Sequence, residues 1–261
     1  TASLTVSTAD GSISRTIVVS QDGNESTTFD WSKDFYHKSL LMKFTGTWCG
    51  YCPIMANTVH LYQQQYPGTL EVLNIYSSSG SLSNTAFNPL ISLYNSNGSY
   101  PHGMVDGRQD LDNYSGDYGA RLIRQFVEEQ ETNYPPVTTV GYNSSFSGST
   151  LDIDLKMYIK KADSYKVTVI VTESNVIGTQ ADNYDGDHEN YVHNDIARIA
   201  VTDVNGEAFT TSQDNSIVKR NYSVSVPSSY VKDNLKILVY IQRAYGSQTV
   251  IRSADYGDYY V

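Results

Sequence analysis

Hydrophobic positions along the chain follow two different periods, and the change between them organises the whole sequence. Leu40-Leu41-Met42-Lys43-Phe44 is a compact apolar run of the kind a fully buried strand uses, and it stops at Thr45-Gly46-Thr47. Ile54, Met55, Val59 and Tyr62 then recur at helical spacing from Pro53 to about Gln65, where Pro67-Gly68 closes the pattern. Leu70 to Tyr76 predicts a second buried strand, and Pro89 to Tyr94, with Asn97-Gly98 behind it, predicts a second helix. After Tyr100-Pro101-His102 come a strand-like Gly103-Met104-Val105 and an Asp106-Gly107 turn. A helix follows, with Tyr118, Leu122, Ile123, Phe126 and Val127 placed on one face. This alternation predicts an α/β unit over residues 37–134, built on a small sheet.

Beyond Tyr134-Pro135-Pro136 the period becomes two. Leu151, Ile153, Leu155, Met157 and Ile159 alternate with polar residues, and so do Tyr165, Val167, Val169 and Val171; Tyr222, Val224 and Val226; and Leu235, Ile237, Val239 and Ile241. Half-buried strands of this kind between Gly, Asn and Ser turns predict an antiparallel β-sandwich of immunoglobulin-like size over residues 135–261. Upstream, Leu4-Thr5-Val6 and Ile13 to Val19 flank the turn dipeptide Asp10-Gly11, which predicts a β-hairpin within an extension covering residues 1–36. The fold class expected is therefore α/β plus all-β, in two domains after a short extension.

Composition narrows the partners. The chain carries 18 Lys and Arg against 28 Asp and Glu, a net charge of −10 that repels nucleic-acid phosphates and anionic lipid heads. Its longest apolar runs, such as Leu235 to Ile241, are broken by charge well short of the roughly 20 residues of a membrane helix. The first residues show neither the basic start nor the apolar stretch of a signal peptide. Few lysines, 22 tyrosines and long Ser, Thr and Gly loops lean toward an exported, mature protein. The tyrosines suit either sheet positions or a surface for protein or glycan.

The chemistry sits in Trp48-Cys49-Gly50-Tyr51-Cys52-Pro53, which holds both cysteines of the chain at the handover from strand to helix. Two intervening residues allow a small disulfide to form and break. Free N–H groups at a helix start stabilise a thiolate, making Cys49 the expected nucleophile and Cys52 the resolving thiol. Trp48 and Pro53 suit a partly covered, pre-organised site. Half of a zinc site is the competing reading, but His37, His60, His102, His188 and His193 are scattered without a second ligand pair, so no metal is expected. A purely structural disulfide would stabilise little across so short a loop. Asp182 to Glu189 is rich in oxygen ligands but departs from the twelve-residue calcium loop, and is expected to be a solvated acidic loop. The strand, motif, helix start and α/β alternation together predict a thioredoxin-like fold.

Residues 37–133 resemble the thioredoxin superfamily, in which a cis-proline loop packs against the cysteine pair; Tyr100-Pro101 matches that loop, and the resemblance implies a cis bond there. Phe44 to Pro53, Tyr100-Pro101-His102-Gly103 and Tyr191 to Arg198 further resemble the "outer membrane protein twenty-eight" lipoprotein family of Gram-negative anaerobes. That family joins a thioredoxin-like domain to a C-terminal β domain. It implies an exported protein of the periplasm or outer membrane surface, with a lipid anchor upstream of residue 1. One departure matters. Thioredoxins carry an acidic residue six positions before the first cysteine, where this chain has Lys43. A cation there favours thiolate and a more oxidising couple if it reaches the pair; if it points away, the proton path runs through water. His102, next to the proline loop, either lies near Cys49 or faces elsewhere on its strand. His193 and Arg198 read as fasteners of loop to strand.

Two functions stay open. The first is a thiol-disulfide oxidoreductase that exchanges with protein thiols or disulfides through Cys49 and Cys52, its redox group being the disulfide itself and no separate cofactor being needed. In the second, a binding or assembly module, the thioredoxin-like part is scaffold and the β-sandwich recognises a protein or glycan.

Overall fold

The computed structural model describes the backbone of residues 2–7, 14–19, 35, 38–112, 115–245 and 248–256, and the side chains of 35, 38–111 and 115–243. Two compact units are formed, Thr1–Asp30 and Trp31–Tyr260. In the first, β1 (Ala2–Ser7) and β2 (Ser14–Val19) pair antiparallel, with Ala2 opposite Val19 and Ser7 opposite Ser14. The Asp10-Gly11 turn lies outside the described residues.

The second unit begins with β3 (Ser39–Thr45), α1 (Cys52–Gln65), β4 (Leu70–Tyr76), α2 (Asn88–Tyr94), β5 (His102–Val105), β6 (Gln109–Asp112) and α3 (Gly116–Asn133). It continues in strands: β7 (Thr138–Ser147), β8 (Thr150–Ile159), β9 (Ser164–Glu173), β10 (Val176–Gln180), β11 (His188–His193), β12 (Ile196–Ala200), β13 (Glu207–Thr210), β14 (Ser216–Ser225), β15 (Leu235–Tyr245) and β16 (Gln248–Tyr256). No described helix is long and apolar enough to cross a membrane.

The expectation of an α/β domain and a separate β-sandwich needs correction. Among the described residues a nine-stranded mixed sheet runs β16-β15-β9-β12-β4-β3-β5-β6, with β13 also on β9, and crosses the boundary placed at Tyr134-Pro135-Pro136. The reason is β12. An open edge on β4 would leave a row of unpaired backbone donors and acceptors. β12 fills it, parallel to β4 at Ile196 and Asn74 and antiparallel to β9 on its other side. Strands β9 and β15 are thus continuous with the sheet that carries the cysteine motif.

Side-chain alternation decides what covers each face. On one face Leu40, Met42 and Phe44 of β3, Ile170 of β9, and Leu238 and Tyr240 of β15 share a core with Phe87 and Leu90 near α2. The opposite face is covered in two halves. Leu41 and Val72 pack under α1 and α3 through Met55, Val59, Tyr62 and Ile123. Val167, Val169, Ile237 and Val239 pack against a three-stranded sheet, β14-β8-β7, through Ile153, Leu155 and Met157. The alternation read from the sequence in β8, β9 and β15 is this second contact. On α3 the buried stripe is Gly119, Ala120, Ile123, Val127 and Gln130, whereas Tyr118 is exposed. Ala120 shares a core with Met55, Val59 and Tyr62 of α1, a small-residue contact that counting bulky apolar positions overlooks.

Candidate functional site

Cys49 and Cys52 form a disulfide at the start of α1, with Cα atoms 5.4 Å apart. The loop closes on itself through Cys49 N to Gly46 O (3.1 Å) and Cys52 N to Cys49 O (3.1 Å), and Pro53 lies in the first turn of α1, where a missing N–H costs nothing. No acidic side chain occupies that first turn to oppose a thiolate. Trp48 donates from Nε1 to Ser77 Oγ (3.0 Å), and its ring meets Tyr100 edge-on with centroids 5.4 Å apart. The Tyr100–Pro101 bond is cis, as the resemblance implied, and this loop stands beside Trp48.

Covering this loop is the β10–β11 hairpin. Ala181 N donates to Thr47 O (2.8 Å) and Asn183 N to Gly50 O (3.0 Å). Gln180 Nε2 donates to the carbonyl oxygens of Gly46 (3.2 Å), Cys49 (3.0 Å) and its neighbour Ala181 (3.0 Å). The approach is so close that a Cβ on Gly50 would stand 2.2 Å from Asn183 Oδ1, which explains the glycine between the cysteines. Both cysteines are buried at 3% and 2% exposure, while Trp48 and Tyr51 are half exposed and Tyr51 meets Tyr184 of the hairpin loop at 6.1 Å. The acidic loop itself is organised by Asp182, whose Oδ1 accepts from Tyr184 N and Asp185 N.

Behind the helix lies a polar cavity of about 130 Å³, with room for several water molecules, lined by Lys43, Asn74, Tyr76, His193 and Asp195 on one side and by Ala56, Val59 and Gln63 of α1 on the other. Cys52 heads that same stripe of α1, since positions 52, 56, 59 and 63 repeat at helical spacing. Lys43 points to this face because β3 alternates, with Leu41 beside it under α1. Burial pushes its ammonium down to about 8, against the opposing pull of Asp195. Burial likewise raises the Asp195 carboxyl, against Lys236, a Ser174 hydrogen bond and Lys43. His193 Nδ1 meets the Tyr76 hydroxyl at 2.7 Å, and burial holds this imidazole down to about 4. The Thr179 backbone raises it, while Lys43 and Arg198 add to the lowering. The result is a neutral imidazole beside a buried cation that feels the Asp195 carboxylate.

His102 faces away from the disulfide. It lies opposite Phe44 in the β3–β5 pair, on the face that α1 does not cover, and donates from Nε2 to Tyr94 O at 2.7 Å. Of the residues picked out in the sequence, the structure gathers Trp48, Gly50, Tyr51, Pro53, Tyr100 and Pro101 around the two cysteines, and places Lys43 in the cavity behind α1. Arg198 is a fastener as expected: its Nε reaches Glu173 Oε2 at 2.8 Å, and its guanidinium lies over Tyr230. Sequence reasoning missed Gln180, Asn183 and Asp195, which reach the site from more than 120 positions away in the chain. Only the glycine inside the motif hinted at so close a neighbour.

A family model described as outer membrane protein Omp28 matches residues 88–254. The chain belongs to the Omp28 family. The Omp28 match begins after the cysteine motif and takes in Tyr100-Pro101, the covering hairpin and the strands that follow it. Among solved structures, HBP35 of Porphyromonas gingivalis superimposes with a TM-score of 0.67 at 14% identity, covering 86% of this chain and 76% of that one, a likeness of fold. A protein of Agrobacterium tumefaciens gives a TM-score of 0.49 at 18% identity, covering 84% of this chain and 93% of that one. No curated protein sequence matches the chain.

Proposed function

We propose that this Omp28-family protein is an exported, thioredoxin-like thiol-disulfide oxidoreductase of the cell envelope that exchanges disulfides with other proteins through Cys49 and Cys52. The observation that carries this reading is the disulfide at the N-terminus of α1, beside the cis Tyr100–Pro101 loop and in front of a buried cation. The family's description as an outer membrane protein supports the envelope setting.

The chemistry is an exchange of sulfur bonds. A substrate thiolate attacks Cys49 Sγ, the Cys49–Cys52 bond breaks, and Cys52 leaves as a thiolate that takes up a proton. A second substrate thiolate then attacks the substrate sulfur of the mixed disulfide and releases Cys49, so that the substrate is oxidised by two electrons and this chain reduced by two. The helix start favours Cys52 as a leaving thiolate, and thereby favours an oxidising couple. Asp195 restores across the cavity the carboxylate that β3 lacks.

Two measurements test the reading. The Cys52→Ser variant should trap covalent partners at Cys49, and the reduction potential of the pair should lie at or above that of glutathione pools, about −220 mV or higher. A couple near −300 mV with no trapped partner would oppose it. The burial of both sulfurs favours a second reading, a binding or assembly module recognising protein or glycan. In that case the Cys49→Ser, Cys52→Ser double variant keeps every binding activity and phenotype.

A further inference from the structure

The segment over the disulfide motif reaches main-chain carbonyls of the motif with two of its own amides and with the Gln180 side chain. Amides of alternate residues, Ala181 and Asn183, donate to Thr47 O and Gly50 O, carbonyls of the motif turn three positions apart. Any extended polypeptide can offer amides at that spacing whatever its side chains, which is how strand addition recognises unfolded or loop segments. Gly50 widens the groove, because it leaves space for the Asn183 side chain lying over it.

The hairpin is also built to leave. β10 and β11 form a two-stranded sheet of their own, a form with little independent stability. Inward it buries polar Gln180 and His193, while its apolar cross-strand pair, Ile177 and Val192, points to solvent. Its hold on the motif is thus a set of hydrogen bonds and one exposed ring contact, Tyr51 with Tyr184, the character of elements that open locally. The β10–β11 register shifts between Gly178 and Gln180, an irregularity of the kind that bends a strand pair. Asn175 and Asp195, left-handed at φ 58° and 50°, bound the hairpin, and its base is tied by Asn175 N to Asn194 Oδ1 (2.9 Å) and Asp195 N to Ser174 Oγ (3.0 Å). The base stays anchored when the tip lifts.

We propose that residues 180–183 are an internal occupant of a groove for extended polypeptide, and that this segment must lift before the buried disulfide can react. This rests on the oxidoreductase reading and adds to it a substrate class, unfolded or loop segments presented as strands, and a gate. With the segment in place both sulfurs are covered and no thiolate reaches Cys49; a polypeptide able to pair with Thr47 and Gly50 displaces the segment and brings its own thiol to the motif.

The test uses the full chain. Reduction of the Cys49–Cys52 disulfide by dithiothreitol is timed in the wild type, in Gln180→Ala, in Ala181→Pro and in Ile177→Ser, each checked for native near-ultraviolet circular dichroism. Loss of the Gln180 Nε2 bonds to the motif, or of the single Ala181 amide bond, should raise the rate about tenfold or more, and Ile177→Ser should match the wild type. Hydrogen exchange on the wild type gives a measure free of any folding defect: the Ala181 and Asn183 amides should exchange through a smaller opening than Val239 of β15. Reduced, carboxymethylated α-lactalbumin, an unfolded polypeptide without free thiols, should speed that exchange. Equal reduction rates in all four proteins, or lid amides that exchange only with Val239, would overturn the gate and leave the oxidoreductase reading intact. No effect of the unfolded polypeptide would overturn the groove. Faster reduction in opened variants that still exchange with no protein thiol or disulfide would instead remove the oxidoreductase reading and leave the gate standing.

Discussion

Phe44 and Lys43 are neighbours on one strand, and they belong to two regions of opposite character. Phe44 enters an apolar core with Met42, Ile75, Phe87 and Leu90. Lys43, one residue earlier, enters the polar cavity behind α1, opposite Asn74 on β4 and facing Asp195. The pleat of a single strand thus separates a face that holds the sheet together from a face that can carry chemistry. A buried charge is costly to retain, so its place behind the helix that carries the disulfide is better explained by a task than by stability.

The largest effect expected from this contrast is on the apolar side. Phe44→Ala should lower stability by about 3–5 kcal/mol in urea or guanidinium titrations, because a fully buried aromatic leaves a cavity among rigid neighbours. A loss under about 1 kcal/mol would mean that the core relaxes into the gap and that the two faces differ less than their packing indicates.

The next effect belongs to Lys43 and is read as pH dependence. Its folded pKa of about 8 lies below the ordinary 10.5, so between these values the unfolded chain binds more protons than the folded one. Stability therefore rises with pH across that window, by about 3 kcal/mol in full, and the gain is absent below pH 8. Lys43→Met should remove this slope. The difference between the two proteins is the quantity to measure, because buried Tyr76 and Tyr240, whose hydroxyls burial raises, lose stability in the opposite sense as pH rises past 10. Identical slopes in wild type and variant would place the ammonium in free contact with water.

How much of this architecture is legible in the sequence depends on the range of each contact. Period-two strands such as β8 and β15, the buried run of β3 and the helix after Pro53 are local patterns, and all appear where the sequence puts them. The face that Lys43 takes follows from alternation once Leu41 is assigned to the core. His102 shows the limit: its parity relative to the motif depends on the β3–β5 register, which no local pattern specifies, and it lands opposite Phe44. Asp195, Gln180 and the bridging strand β12 are invisible in the sequence for a related reason. Their partners lie far away along the chain, and nothing in Gln180-Ala181 or Asn194-Asp195 announces what they will touch. The same β12 turns two expected domains into one sheet.

The smallest predicted effect is on the motif itself. A disulfide stabilises chiefly by restricting the unfolded chain, and a separation of three positions restricts little, so reduction of Cys49–Cys52 should cost about 2 kcal/mol or less. Denaturant titrations with and without reductant, and of the Cys49→Ser, Cys52→Ser double variant, measure it. A cost matching that of Phe44→Ala would assign the disulfide to the structural region. A small cost leaves it as a bond the fold can make and break while the Phe44 face holds, which is what the proposed exchange requires of it.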